Sequence, residues 1–160
     1  IRFTQLINKT NQFNLRTKRY TQANIEAMRK NSKKFRLIQI TLKDKFGSYG
    51  LISCIVLEKL SNMAFINTWV MSCRVFKREI EYLALNKIIE VANKWGCDII
   101  VGEHIQTAKN ALVKNLYSDL GFDRKKKNSL GDHIFEGDVY CQMTSSDKFK
   151  TTHHISLKHE

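Results

Sequence analysis

Cys73 and Arg74 stand where an apolar, β-prone run (Phe65, Ile66, Trp69, Val70, Met71) gives way to a segment of helical period. A thiolate is the reactive form of cysteine, and an adjacent guanidinium together with a helix N-terminus favours it. Cys73 therefore reads as a candidate nucleophile and Arg74 as its electrostatic partner. The alternative for Cys73 is a small core residue. A second concentration of chemistry lies upstream, where Asn8, Asn11, Gln12 and Asn14 place four carboxamides within seven positions. Carboxamides donate and accept at once, which suits a self-satisfied turn or recognition of a polar group, the turn being the simpler reading. Glu81 is a third candidate, because it projects onto the apolar side of the helix that follows Arg74. It is either a first-turn acid favoured by the helix dipole and partly solvated, or a carboxylate facing a pocket. His153, His154 and His159 have no acid or cysteine at ligand spacing, so no metal site is expected.

The elements that must position these residues follow from periodicity. Residues 1–7 alternate loosely and read as a first strand, and residues 8–20 as an ordered polar loop. Thr21 reads as the N-cap of a short helix over 22–31. Residues 36–44 alternate, 46–50 (FGSYG) turn and 51–60 are apolar at their start, so a hairpin is expected, with the strand before Cys73 completing a three-strand meander. Ile80, Ala84, Leu85, Ile88, Val91, Ala92 and Trp95 share one helical side, and Gly96 supplies the stop. Beyond it come an apolar strand over 99–101 and a helix over 108–120 capped by Thr107, with leucines at 112, 116 and 120 and Gly121 at its end. Two strands, over 122–127 and 133–143, follow. This order predicts one α/β domain over 1–145, with a mixed sheet covered by helices on both faces, and a flexible tail over 146–160.

Composition bounds the function. The 160 residues carry 27 Lys and Arg against 15 Asp and Glu, a formal charge of +12, which suits an acidic partner. The basic residues are dispersed and lack the interleaved aromatics of a single-strand platform, so nucleic acid is not the expected partner. No stretch approaches the roughly 20 apolar residues of a membrane span. Cys54, Cys73, Cys97 and Cys141 are too far apart in sequence for Cys-x-x-Cys pairing, and free thiols point to a cytoplasmic location. The chain begins inside an apparent strand, as an excised part of a longer protein would.

The order of elements resembles the GNAT acyltransferase fold, α/β with a mixed, mainly antiparallel sheet. In that family a strand, an Arg-x-x-Gly-x-Gly/Ala turn and a helix form a pyrophosphate cradle. Here residues 74–79 read RVFKRE, and the two glycine positions are Lys77 and Glu79. A side chain replaces the close backbone approach, and a carboxylate sits where phosphate would, which argues against ordinary coenzyme A binding.

Three motifs carry a narrower resemblance. Residues 5–20 (QLINKTNQFNLRTKRY), 69–74 (WVMSCR) and 102–110 (GEHIQTAKN), with LYSDLGF at 116–122, are similar to the C-terminal half of FkbH-like proteins. Those proteins fuse an N-terminal HAD phosphatase-like domain to a GNAT-like domain. They load a glyceryl unit from a phosphorylated glycerate onto an acyl carrier protein for polyketide or polysaccharide synthesis. The chain departs from that family in having His104 and Gln106 where Tyr and Pro are usual. The resemblance implies catalytic roles for Cys73, Glu103 and Asn110. Substrate contacts would come from Asn11, Gln12, Asn14, Arg19, Arg74, Thr107 and Lys109. The implied cofactor is the carrier's phosphopantetheine, and the implied partners are the carrier and the upstream phosphatase-like domain. A non-catalytic module that docks an acidic carrier is the second reading.

Overall fold

The computed structural model describes residues 1–75, 79–143 and 157–159. Its elements are α1 (Arg2–Lys9), α2 (Gln22–Lys30), β1 (Phe35–Asp44), β2 (Gly47–Leu60), β3 (Met63–Met71), α3 (Ile80–Lys94), β4 (Ile99–His104), α4 (Leu116–Asp119), β5 (Asp123–Lys125), β6 (Asp138–Met143) and β7 (Leu157–His159). The strands form one sheet in the order β5-β6-β4-β3-β2-β1-β7. Only β3 and β4 pair in parallel among the described residues, with α3 as their crossover; the other pairs are antiparallel. The mixed, mainly antiparallel α/β sheet covered on both faces is the expected fold.

Burial explains the two layers. Side chains of α3 and α4 join Ile38, Ile40, Ile55 and Trp69 in the larger core, while Phe3, Ile7 and Ile25 of α1 and α2 cover Leu37, Cys54, Val56 and Val70 on the opposite face. Six consecutive residues of β2, from Ile52 to Leu57, are buried, as a central strand covered on both faces requires. α3 follows its sequence periodicity, and Gly96 ends it with φ +68°, a conformation other residues reach only with strain. Thr21 and Asn24 form a reciprocal capping box at α2.

Five expectations are corrected. The segment expected as a strand over 1–7 belongs instead to the helix Arg2–Lys9: Phe3, Thr4 and Ile7 are the buried positions, a helical spacing that so short a segment does not separate from alternation. The helix expected over 108–120 is a 3-10 turn (Ala111–Val113) followed by the four-residue α4. Thr107 does not cap a helix at Ala108; its hydroxyl accepts from the N–H of Lys109 and of Asn110, and Asn110 is drawn inward. The hairpin turns sooner than expected, β2 starting at Gly47 with the Asp44 carboxylate accepting from the Phe46 N–H at 2.8 Å. Finally, residues 157–159 of the expected tail pair with Ile38, Gln39 and Ile40 as β7. No helix of the described residues is long and apolar enough to cross a membrane.

Candidate active site

The β3–β4 ladder lasts only from Met63↔Ile99 to Ile66↔Gly102. Past it β3 runs on to Met71 and β4 to His104, and the two strands part. Residues 13–15 lie in the gap. Asn14 bridges Val70, the Met71 N–H donates to the Phe13 carbonyl at 3.2 Å, and the Ile105 N–H donates to the Leu15 carbonyl at 2.8 Å. Phe13 and Leu15 are each 1% exposed, and the Phe13 ring lies 6.1 Å from that of Trp69.

At this end of the sheet a cleft of about 680 Å³ opens between the C-terminal end of α1, the 10–13 loop, the turn after β3 and the 108–109 loop. Asn11 and Gln12, Cys73, and Lys109, from three separate motifs, line it together. Lys9 lines it as well, and among the described residues none of those lining it is acidic. Cys73 begins a 3-10 turn, Cys73–Val75, and is exposed, unlike Cys54 and Cys97, which are buried, and Cys141, which is half-buried. Burial pushes the thiols of Cys54, Cys97 and Cys141 above the ordinary range.

The other expected site residues lie elsewhere. Glu103, 1% exposed, accepts from Arg16 Nε at 2.7 Å on one carboxylate oxygen and from the N–H groups of Glu136 and Gly137, at 2.6 and 3.0 Å, on the other. Asn110 is fully enclosed. Its Nδ2 donates to the carbonyls of Asn14 and Ile105, and its Oδ1 accepts from the Thr107 N–H. The Asn14 side chain closes its own loop, donating to the Thr10 carbonyl and accepting from the Thr17 N–H. Arg19 caps the end of α1, donating to the Ile7 and Thr10 carbonyls and to Asn11. Arg74 is exposed beside Cys73. Glu79 is exposed with φ +64°, and Lys77, the other replaced glycine position, lies outside the described residues. Glu81 is 7% exposed and lines a groove of about 250 Å³ with Glu79, Asp119 and the leucines at 112, 116 and 120.

Sequence reasoning assigned no role in the site to four residues of this region, although His104 stood out as a departure from the family pattern. Arg16 holds Glu103, donates to the Asn67 carbonyl at 2.7 Å and lies 4.8 Å over the Phe65 ring. Trp69 Nε1, Tyr117 Oη and His104 Nε2 are buried without a hydrogen-bond partner among the described residues. Burial pushes the Tyr117 phenol up and the His104 imidazole down, Asp138 opposing the latter shift. Arg16 and Tyr117 stand inside the quoted motifs, but nothing in spacing marks which member of a motif turns inward.

No protein-family model matches the sequence, and no curated protein matches it. Solved structures do. The ribosomal-protein-S18-alanine N-acetyltransferase of Escherichia coli aligns over 90% of this chain and 86% of its own, at 14% identity and TM-score 0.59. A putative GNAT-family acetyltransferase from Desulfovibrio desulfuricans aligns over 78% of each chain at 11% identity and TM-score 0.58. A GNAT acetyltransferase of Staphylococcus aureus Mu50 aligns at 18% identity and TM-score 0.51, over 64% of this chain, which spans 65% of the length of that one. N-acetylglutamate synthase of Neisseria gonorrhoeae, solved with coenzyme A and N-acetylglutamate, aligns over 61% of this chain and 24% of its own, at 12% identity and TM-score 0.51. The chain therefore has the GNAT acetyltransferase fold.

Proposed function

We propose that the domain transfers an acyl unit, of the glyceryl kind handled by FkbH-like proteins, through Cys73 to the phosphopantetheine thiol of an acyl carrier protein. The observation that supports this is the convergence of Asn11, Gln12, Cys73 and Lys109 on one cleft, where Cys73 is the exposed cysteine. The Cys73 thiolate attacks the carbonyl carbon of an acyl thioester and forms a C–S bond. The donor C–S bond breaks, and the donor sulfur leaves with the electron pair and takes a proton from water. The carrier thiolate then repeats the exchange and returns Cys73 to its free form. Gln12 and Asn11, which line the cleft, are the amides this reading assigns to donate to the acyl carbonyl. Asn14, Glu103, Asn110 and Arg19 are positioning residues in this reading, since their hydrogen bonds are spent within the fold. Thr107 ties the 107–110 turn that carries Lys109, and Arg74 supplies positive charge beside the thiol.

The non-catalytic reading keeps one specific support: among the described residues, no histidine or carboxylate lines the cleft to act as a base. There the domain docks an acidic carrier and presents it to an upstream phosphatase-like domain. Coenzyme A is the less favoured donor because Glu79 brings a carboxylate to the start of α3. Incubation with a glyceryl thioester of N-acetylcysteamine, followed by peptide mass analysis, separates the readings. Acyl transfer requires a glyceryl adduct on Cys73 that discharges onto a phosphopantetheinylated carrier and is absent in Cys73→Ala. A domain that binds the carrier yet never acquires the adduct is a docking module.

A further inference from the structure

Parallel strands that diverge leave a row of main-chain N–H and C=O groups facing the gap, and these need partners. An extended ligand with amides along its length can supply them as an added strand does. In this chain the partners are already present. The carbonyls of Phe13, Asn14 and Leu15 accept, in turn, from Met71 N–H on the β3 side and from Asn110 Nδ2 and Ile105 N–H on the β4 side. The segment is also anchored by its side chains: Phe13 and Leu15 enter the larger core, and Asn14 ties the loop at Thr10 and Thr17. Thr17 adopts φ +52°, which turns the chain out of the gap.

We infer that residues 13–15 are a built-in strand that fills the β3/β4 gap and keeps an extended, amide-bearing arm of the pantetheine kind from lying between the two strands. Such an arm is admitted to Cys73 along the cleft beside the C-terminal end of α1. The segment is thus a specificity element, since it selects the route by which a thiol ligand reaches the site, whether the thiol is bound to a carrier or to a nucleotide. This deepens the acyl-transfer reading by naming how its ligand enters. The test reads backbone amides rather than Cys73, so either can fail alone.

Amide hydrogen exchange on the whole chain, free and with about 1 mM pantetheine, decides it. Pantetheine carries the amides without the phosphates, so repulsion by Glu79 plays no part in the result. The Met71 and Ile105 N–H groups should exchange at least roughly a hundredfold more slowly than unstructured amides and should be unmoved by pantetheine. Unprotected Met71 and Ile105 amides in the free protein would show an open gap. Loss or change of their protection on adding pantetheine would show the segment displaced by the arm. Either result overturns the inference.

Discussion

Glu103→Ala tests whether this carboxylate holds the structure together or faces a substrate. The substitution removes the partner of a guanidinium that is itself 12% exposed, and it strands the N–H groups of Glu136 and Gly137. Breaking a buried ion pair by deleting one partner costs about 3–5 kcal/mol. Each orphaned donor adds about 1–3 kcal/mol, less what water recovers on entering the vacated space. A loss of about 4 kcal/mol is therefore expected, a large share of the stability of a domain of this size. With a urea slope of about 2 kcal/mol per M, the unfolding midpoint should fall by about 2 M. Glu103→Gln should lose about half as much, because one amide oxygen can still take the two N–H groups while its NH₂ meets the Arg16 donor. Arg16→Met with Glu103→Met should be milder than Glu103→Ala alone, since it leaves no uncompensated charge. Equilibrium urea unfolding followed by tryptophan fluorescence reads all three. A loss below about 1 kcal/mol for Glu103→Ala would refute the structural role and return Glu103 to the candidates for catalysis.

Three further outcomes follow from the same geometry. Timed alkylation near neutral pH should label Cys73 first and Cys54 last, since Cys54 is buried and its thiol is pushed up; equal rates at the two would remove Cys73 as the accessible nucleophile. Glu90 is held down to about 2 by hydrogen bonds to Lys87 and Lys94, so its folded carboxyl is the stronger acid and its contribution is present above the unfolded value near 4.5. That contribution fades as pH falls toward 2, and because Glu90 is 39% exposed, Glu90→Gln should cost under about 1 kcal/mol at neutral pH and nothing at high salt. Gly102→Ala should destabilise by about 3 kcal/mol in thermal or urea unfolding, because its Cβ would come within 2.3 Å of the buried Tyr117 ring; a neutral result would show that ring free to move.

What the sequence revealed follows from how far each determinant reaches. α3 was legible because Ile80, Ala84, Leu85, Ile88, Val91 and Ala92 repeat over four turns and Gly96 marks the end. The hairpin and the central strand were legible for the same local reasons. α1 was not, because eight residues offer two periods at once and the choice is made by packing against Cys54, Val56 and Val70. The stretch after β4 failed differently: leucine spacing promised a helix, but the Asn110 side chain pairs with Asn14 and Ile105 and turns the backbone inward. At the site, the motifs gave the residues but not their directions. Cys73 and Lys109 face a cleft while Asn110 and Glu103 face the interior, a distinction set by contacts some ninety positions away in sequence.

Those distant contacts also order events in time. Arg16 meets Glu103 across 87 positions, and Asn14 meets Asn110 across 96. When the chain is made from its N-terminus, the loop that follows α1 is synthesised early, yet its partners come only after β1, β2, β3 and α3 have been added. Closing so long a loop carries its entropy cost before any contact returns it, which places assembly of the cleft late in folding. Until then the Asn14 and Leu15 carbonyls lack the Asn110 amide and the Ile105 N–H, and β3 presents an unpaired edge from Met63 to Ile66 that is open to self-association.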